Sequence, residues 1–126
     1  MNIHIRNGRL IDPANRLDAQ LDLFIADGKI VGVGNAPDGF AATRTINAGG
    51  LVVAPGLIDL AARLREPGFE YRATLESEMD AAMAGGVTSL AIPPDTDPAL
   101  DEPGLVEMLC YRAKKLNRAT STPSAL

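Results

Sequence analysis

The spacing of apolar residues changes at the Pro-Gly dipeptide at 55–56, and this change constrains the fold more than any other feature of the sequence. Before it, short alternating runs are separated by turn dipeptides. The Asn-Gly pair at 7–8 and the Asp-Gly pair at 27–28 suit two-residue hairpin turns. After it, strand-like and helix-like patterns alternate, which is typical of βα units around a parallel sheet. We therefore predict an α/β chain that begins with β-hairpins.

Two βα units are predicted after this change. The first has a strand at 57–60 and a helix from about Ala73 that ends at the Gly-Gly pair at 85–86. The second has a strand at 87–92 and a helix for which Asp101 is the predicted N-cap. Each unit thus contributes one strand to a parallel sheet.

The sequence pattern divides the chain into three segments. Residues 1–54 are predicted to form the β-hairpins, residues 55–118 the two βα units, and residues 119–126, which have no apolar period, an irregular tail. A parallel sheet of two strands cannot be covered on both faces, although parallel sheets normally are. The second segment is therefore expected to be an incomplete part of a larger fold.

Composition excludes several classes of partner. Aromatic residues make up 4% of the chain and the net charge is −4, so neither a base-stacking platform nor a basic nucleic-acid surface is expected. No apolar run approaches the roughly 20 residues that span a bilayer, so no membrane association is expected. Cys110 is the single cysteine and cannot form an internal disulfide, which favours a cytoplasmic location.

The stretch from 54 to 68 reads Ala-Pro-Gly-Leu-Ile-Asp-Leu-Ala-Ala-Arg-Leu-Arg-Glu-Pro-Gly. It resembles the first barrel strand of dihydroorotases, in the cyclic amidohydrolase superfamily, where Pro-Gly-Leu-Ile-Asp and one residue precede His-x-His-x-Arg-Glu-Pro-Gly. Residues 84–98 resemble the second unit of that family, and residues 8–13 and 27–30 resemble its opening β-sandwich. The resemblance implies a portion of a small β-sandwich, followed by the first two βα units of a TIM-type (β/α)8 barrel. A whole barrel needs about 250 residues, so this one is incomplete.

The chain departs from the family pattern at both histidines, which in dihydroorotases bind the metal. Ala61 and Arg63 stand in their places. Alanine has no donor atom, and arginine has no acceptor and a permanent charge. That charge about 4 Å from a divalent ion would cost roughly 8 kcal/mol at an effective dielectric of 20. His4, expected on a strand surface, and Cys110, expected to be a buried apolar residue, are not predicted as ligands. We therefore predict no metal site and no cofactor.

The resemblance also identifies positions where substrate would be held. Arg65 matches the arginine that binds the substrate carboxylate, whereas Asp95 replaces the asparagine that assists it. A carboxylate there would repel an anionic ring. Arg65 is instead expected to form a structural ion pair, with Glu66 or Glu70, and Asp59 is expected to organise the end of its strand.

This combination is similar to a class of dihydroorotase-like chains that have lost their metal ligands and assist aspartate transcarbamoylase. The resemblance implies a non-catalytic subunit, with the aspartate transcarbamoylase catalytic chain as its partner, that supports assembly or regulation in pyrimidine biosynthesis. Two alternatives stay open at this point. The chain could be part of a metal-dependent cyclic amidohydrolase that hydrolyses a cyclic amide C–N bond, or a truncated reading frame without an independent role.

Overall fold

The computed structural model describes residues 1–116 and 120–123, with the backbone alone for the last four. Contacts between residues divide the chain into two compact units, Met1–Pro55 and Gly56–Leu126. Neither helix in the described part of the chain has the length and apolar character needed to cross a bilayer. Each unit has its own sheets and its own buried side chains, so each is described separately.

The first unit consists entirely of β-strands. They are β1 (Asn2–Arg6), β2 (Arg9–Asp12), β3 (Leu17–Gln20), β4 (Leu23–Ala26), β5 (Lys29–Val33), β6 (Arg44–Asn47) and β7 (Val52–Val53). They form a four-stranded sheet in the order β5-β4-β1-β6 and a three-stranded sheet in the order β3-β2-β7. The β1–β6 and β2–β7 pairs are parallel, and the others are antiparallel. The buried apolar side chains of this unit are Leu10, Leu23, Phe24 and Ala48.

Only one of the two predicted hairpin turns has that role. The Asp-Gly pair at 27–28 joins the antiparallel strands β4 and β5, and both residues have positive φ angles, 50° and 74°, as a type I′ turn requires. The prediction for the Asn-Gly pair at 7–8 is wrong, because β1 and β2 lie in different sheets. A Cβ atom on Gly8 would come within 2.6 Å of the Val53 side chain. Glycine is therefore needed here, because the backbone passes close to Val53 where the chain crosses from one sheet to the other.

The second unit alternates strands and helices. Its elements are β8 (Leu57–Asp59), α1 (Leu75–Ala84), β9 (Val87–Ile92), α2 (Pro103–Leu116) and β10 (Thr120–Pro123). The strands are parallel and lie in the order β10-β9-β8. Sequential parallel strands connected by helices are the arrangement found in a (β/α)8 barrel. The buried core of this unit consists of Leu64, Leu75, Met79, Leu90, Ile92, Leu100, Leu109 and Ala113.

Local capping determines where α1 begins. Thr74 and Ser77 form a capping box, in which the Thr74 hydroxyl accepts the Ser77 N–H and the Ser77 hydroxyl accepts the Thr74 N–H. The helix ends before the Gly-Gly pair at 85–86, where Gly86 has a φ of +79°. The predicted start near Ala73 and the predicted end therefore agree with the structure to within two residues.

Helix α2 begins one residue later than its predicted N-cap implies. Its first residue is Pro103, so Glu102 and not Asp101 is the residue that flanks the helix. The Glu102 carbonyl accepts the N–H groups of Leu105 and Val106, as expected for the first turn. Proline is favoured at the first helical position because its φ is fixed and its missing N–H has no intrahelical acceptor there.

The structure corrects the prediction of an irregular tail over 119–126. Thr120 to Pro123 pair in parallel with Ser89 to Ile92 of β9, and this adds a third strand to the sheet. Four residues are too short to reveal an alternating pattern, and strand preference depends strongly on the neighbouring strand. The remaining positions of the predicted tail, 119 and 124–126, lie outside the described residues.

Candidate functional site

Two loops at the carboxyl ends of β8 and β9 carry the positions identified from the sequence. In parallel βα folds this edge of the sheet is where ligands bind, because the loops there can vary without disturbing the core. The first loop runs from residue 60 to residue 74, and the second from residue 93 to residue 102. Both belong to the second unit, so their relative placement is defined by one sheet.

The two loops lie in direct contact with each other. The Asp97 N–H donates to the Pro67 carbonyl at 3.2 Å. Gly68 has a φ of +98°, and a Cβ atom at this position would lie 2.1 Å from the Asp97 carbonyl oxygen. A glycine is therefore needed both for the backbone conformation and for the space. This contact holds the first loop, which carries Arg63 and Arg65, against the second loop, which carries Asp95.

Ala61 and Arg63, the two positions at which the sequence resemblance predicts lost metal ligands, lie just beyond the end of β8. The Ala61 N–H donates to Asp59 Oδ1 at 2.9 Å, which gives Asp59 the structural role predicted for it at the strand end. The Ala62 N–H donates to the Ala91 carbonyl at 3.0 Å, so the pairing with β9 continues past the strand. Ala61 and Arg63 are both exposed, and neither offers an atom that could coordinate a cation.

Arg63 and Asp95 form an ion pair across the two loops. Arg63 Nε lies 3.2 Å from Asp95 Oδ2, and the exposed fractions of the two side chains are 67% and 39%. The sequence identifies each of these residues as a separate departure from the family pattern. The structure joins them, so the Arg63 guanidinium is neutralised by the Asp95 carboxylate.

Arg65 does not form the ion pair expected for it. Glu66 is 4% exposed and is paired with Arg112 of α2, and its Oε2 accepts the Leu75 N–H at 2.8 Å. Glu70 accepts the Gly68 N–H with both carboxylate oxygens, at 3.1 and 3.0 Å. Within residues 1–116, no carboxylate lies within 4.0 Å of the Arg65 guanidinium. The expected partners of Arg65 are therefore engaged elsewhere.

Glu66 is the residue at this site whose role the sequence did not reveal. Its carboxylate joins the first loop, the amino terminus of α1 and the side chain of Arg112. An anion is favoured at a helix amino terminus because the first N–H groups lack intrahelical acceptors. The motif Arg-Glu-Pro-Gly marks Glu66 as part of a family loop, but it does not indicate a partner for it. Arg112 is far away in the sequence, so the pairing could not be predicted.

A zinc ion does not fit the residues that these loops present. Ala61 has no donor, Arg63 is a cation, and the Asp95 carboxylate is paired with that cation. Over the described ranges 1–116 and 120–123, no three His, Cys, Asp or Glu side chains are grouped so that they could hold a metal ion. Cys110 is half-buried on α2 and lies outside this site.

His4 belongs to the first unit and makes structural contacts there. Its ring stacks on Phe24 with the ring centroids 4.6 Å apart, and its Nε2 lies 2.8 Å from Asp22 Oδ2. The side chain is 24% exposed, so His4 is a half-buried strand residue with structural contacts. Stacking on a buried aromatic ring and a carboxylate partner account for this burial.

Solved structures with the same arrangement of strands and loops are amidohydrolases. The L-hydantoinase (dihydropyrimidinase) from Arthrobacter aurescens superimposes with a TM-score of 0.79 at 23% identity, over 98% of this chain and 27% of that one. A D-hydantoinase superimposes with a TM-score of 0.65 at 26% identity, over 99% of this chain and 26% of that one. The chain therefore has the fold of an amidohydrolase, with strands of an incomplete TIM-type barrel. This confirms the predicted fold class.

The chain belongs to the dihydro-orotase-like family, because the model of that family matches residues 50–125. It is 50% identical over 123 residues to a dihydroorotase-like protein of Pseudomonas aeruginosa, and this match covers 98% of the chain and 29% of that relative. It is 44% identical over 117 residues to a dihydroorotase of Geobacter sp. strain M21, over 90% of the chain and 27% of that relative. The chain thus spans less than a third of the length of the curated relatives it matches.

Proposed function

We propose that the chain is part of a non-catalytic dihydroorotase-like subunit that supports assembly or regulation of aspartate transcarbamoylase in pyrimidine biosynthesis. The observation that carries the proposal is the Arg63–Asp95 ion pair. It fills the end of the first barrel strand with a cation that repels a metal ion and engages a carboxylate that could otherwise attract one. The name of the Pseudomonas aeruginosa relative, dihydroorotase-like protein, is in keeping with this reading.

The contacts that hold the two loops around the Arg63–Asp95 pair support a role that requires the folded structure but no catalytic activity. Gly68 and Pro67 keep the two loops in contact, and Glu66 connects the first loop to both helices. These interactions stabilise the edge of the sheet whether or not a substrate is bound. A subunit that serves assembly requires such a stable surface, and it does not require a nucleophile or a metal-bound water.

Metal analysis combined with an activity assay tests the catalytic side of the proposal. The purified chain is incubated with zinc, desalted and analysed for metal, and hydrolysis of dihydroorotate is measured in parallel. We expect less than about 0.1 zinc per chain and no turnover, since a tetrahedral site needs three or four ligands. The matched variant carries Ala61→His and Arg63→His together, and retention of more zinc by this variant would show that the assay detects a site here. Stoichiometric zinc with turnover in the natural sequence would overturn the proposal.

Binding to the catalytic chain of aspartate transcarbamoylase tests the assembly side. The two purified chains are mixed and their association is measured by analytical ultracentrifugation, alongside copurification from the native host. We expect a complex whose mass exceeds that of either component. Sedimentation of the two chains as independent species, together with no copurification, would overturn the assembly role.

A second candidate function is that of a metal-dependent cyclic amidohydrolase. It is favoured by one observation, which is the 44% identity to a protein named dihydroorotase together with the family motif Arg-Glu-Pro-Gly at 65–68. Such an enzyme would have to draw its metal ligands from positions other than 61 and 63. Bound zinc in the metal analysis would favour this candidate over the first.

A further inference from the structure

The loop between β8 and α1 carries an aromatic and cationic cluster made of Phe69, which is half-buried, and Tyr71 and Arg72, which are exposed. The Arg72 guanidinium carbon lies 5.9 Å from the Phe69 ring centroid and 5.5 Å from the Tyr71 ring centroid. The two rings are 6.5 Å apart and inclined at 64°. Tyr71 is nevertheless 78% exposed, the largest exposed fraction among the large apolar and aromatic side chains of the described residues. We name these three residues the Tyr71 cluster.

Hydrogen bonds hold the loop in this conformation before any partner is present. The Phe69 N–H donates to the Arg65 carbonyl at 2.8 Å, and the Arg72 N–H donates to the Phe69 carbonyl at 2.9 Å. The Gly68 N–H donates to both oxygens of Glu70. An ordered loop loses little conformational entropy when it binds, and tyrosine and arginine are the residues that most often dominate binding energy at protein interfaces.

The charges of the loop indicate the chemistry of the partner. The carboxylate of Glu66 is buried against Arg112, and that of Glu70 is bonded to the Gly68 N–H. Within residues 1–116, no carboxylate lies within 4.0 Å of the Arg72 guanidinium. A guanidinium whose face lies over aromatic rings keeps the N–H groups at its edge free for a planar carboxylate.

We propose that the Tyr71 cluster is a docking anchor for an acidic segment of a partner protein. In the complex, Arg72 pairs with a carboxylate of that segment, and the Tyr71 ring covers its apolar part. This inference rests on the proposed function for the identity of the partner, the aspartate transcarbamoylase catalytic chain, but not for its chemistry.

The test compares two pairs of substitutions that are alike in chemistry and differ in position. Tyr71→Ala and Arg72→Glu alter the cluster. The controls, Tyr111→Ala and Lys115→Glu, alter an equivalent exposed pair on α2, where the Lys115 ammonium lies 4.8 Å from the Tyr111 ring centroid. Binding of each variant to the transcarbamoylase catalytic chain and to a synthetic glutamate-rich peptide is measured by calorimetry. Circular dichroism verifies that the variants keep the fold.

We expect each cluster variant to weaken binding of both ligands by about tenfold or more, which corresponds to about 1.4 kcal/mol, and each control to change it by less than about twofold. Equal loss in the cluster variants and the controls would overturn the inference, as would binding that no variant changes. If the natural sequence binds the peptide through Arg72 but not the transcarbamoylase, the proposed function fails and the docking chemistry stands. If it binds the transcarbamoylase and Arg72→Glu has no effect, the proposed function stands, but the Tyr71 cluster is not the docking anchor. Absence of binding to either ligand would overturn both.

Discussion

At the scale of single residues, the candidate site is defined by pairings that join distant parts of the chain. The sequence identifies Arg63 and Asp95 as two substituted positions, and the structure shows that they neutralise each other. The sequence alone could not reveal this pairing, because the family pattern assigns the two positions to different roles. Glu66 illustrates the same limit, since its partner Arg112 lies on α2 and no periodic pattern connects them. Residue types at a site can thus be predicted where a motif is matched, whereas side-chain partners depend on the fold.

The first prediction concerns the buried carboxylate of Glu66. Glu66→Ala leaves the Leu75 N–H and the Arg112 guanidinium without their partner, so we expect the free energy of unfolding to fall by about 1–3 kcal/mol. Urea unfolding followed by far-ultraviolet circular dichroism measures this change. Glu107→Ala, at an exposed position of the same helix as Arg112, is the control and is expected to change it by less than about 0.5 kcal/mol. Equal stability of the two variants would show that the contacts of Glu66 with Leu75 and Arg112 contribute nothing to stability.

The second prediction concerns the dependence of the first unit on pH. The bond from His4 and the bond from the Asn7 N–H hold the pKa of Asp22 below its usual value. Because the folded pKa is the lower one, the stabilisation is present above the unfolded value and is lost as pH falls through the folded pKa. Asp22→Asn should therefore destabilise the first unit at neutral pH and have less effect at about pH 3.

The single histidine provides the local measurement for this prediction. His4 lies beside Asp22, so its ring proton resonances report on the first unit during urea unfolding at each pH. Asp38→Asn, at an exposed position of the same unit, is the control. A destabilisation by Asp22→Asn that is the same at neutral and at acid pH would contradict the assignment of the lowered pKa.

At the scale of elements, the predictable features are those with strong local signals. The helix α1 was located to within two residues because a capping residue and a Gly-Gly pair mark its ends. The strands β3 and β6 were not predicted, since Leu17–Gln20 lacks β-branched and aromatic residues, and Arg44–Asn47 has only Thr45 and Ile46, which are adjacent and show no alternation. Their conformation depends on pairing with β2 and β1. The crossover at 7–8 was misread for a related reason, because an Asn-Gly pair supplies positive φ angles without determining which strands pair.

The third prediction tests the capping of α1. Thr74→Ala removes the hydroxyl that accepts the Ser77 N–H, and we expect the free energy of unfolding to fall by about 1 kcal/mol. Thr74→Ser keeps the oxygen and is expected to retain most of the stability. Chemical unfolding followed by circular dichroism measures both variants. A Thr74→Ser variant as unstable as Thr74→Ala would indicate that the methyl group, and not the cap, is responsible.

At the scale of the whole molecule, the chain was correctly predicted to contain hairpins followed by βα units, because the spacing of apolar residues changes near the boundary of the two compact units. The third parallel strand, β10, was not predicted.

The second unit also leaves apolar side chains exposed on β8 and in the turn that follows it. Leu57 and Ile58 are 62% and 65% exposed on β8, which is an edge strand of the sheet among the described residues, and Leu60, just after it, is 75% exposed. An exposed apolar edge favours association between chains.

The fourth prediction follows from this exposed edge. We expect the 126-residue chain to self-associate as its concentration rises, and to unfold below about 60 °C. Leu60→Lys should reduce the association without a large loss of stability, whereas Leu90→Lys, at a position 3% exposed, should unfold the second unit. Light scattering and thermal scans measure these effects. A monomer at all concentrations with a transition well above that temperature would contradict the prediction.

The Arg63–Asp95 pair also bears on how readily this site could change during evolution. Replacing Arg63 alone with histidine would leave the Asp95 carboxylate without its partner, and replacing Asp95 alone with asparagine would leave the guanidinium unopposed. Changing this site to the family pattern also requires a histidine at Ala61, so three positions, 61, 63 and 95, would have to change. Because Arg63 and Asp95 neutralise each other, we expect the effect of each substitution to depend on the others, and a single substitution to be disfavoured.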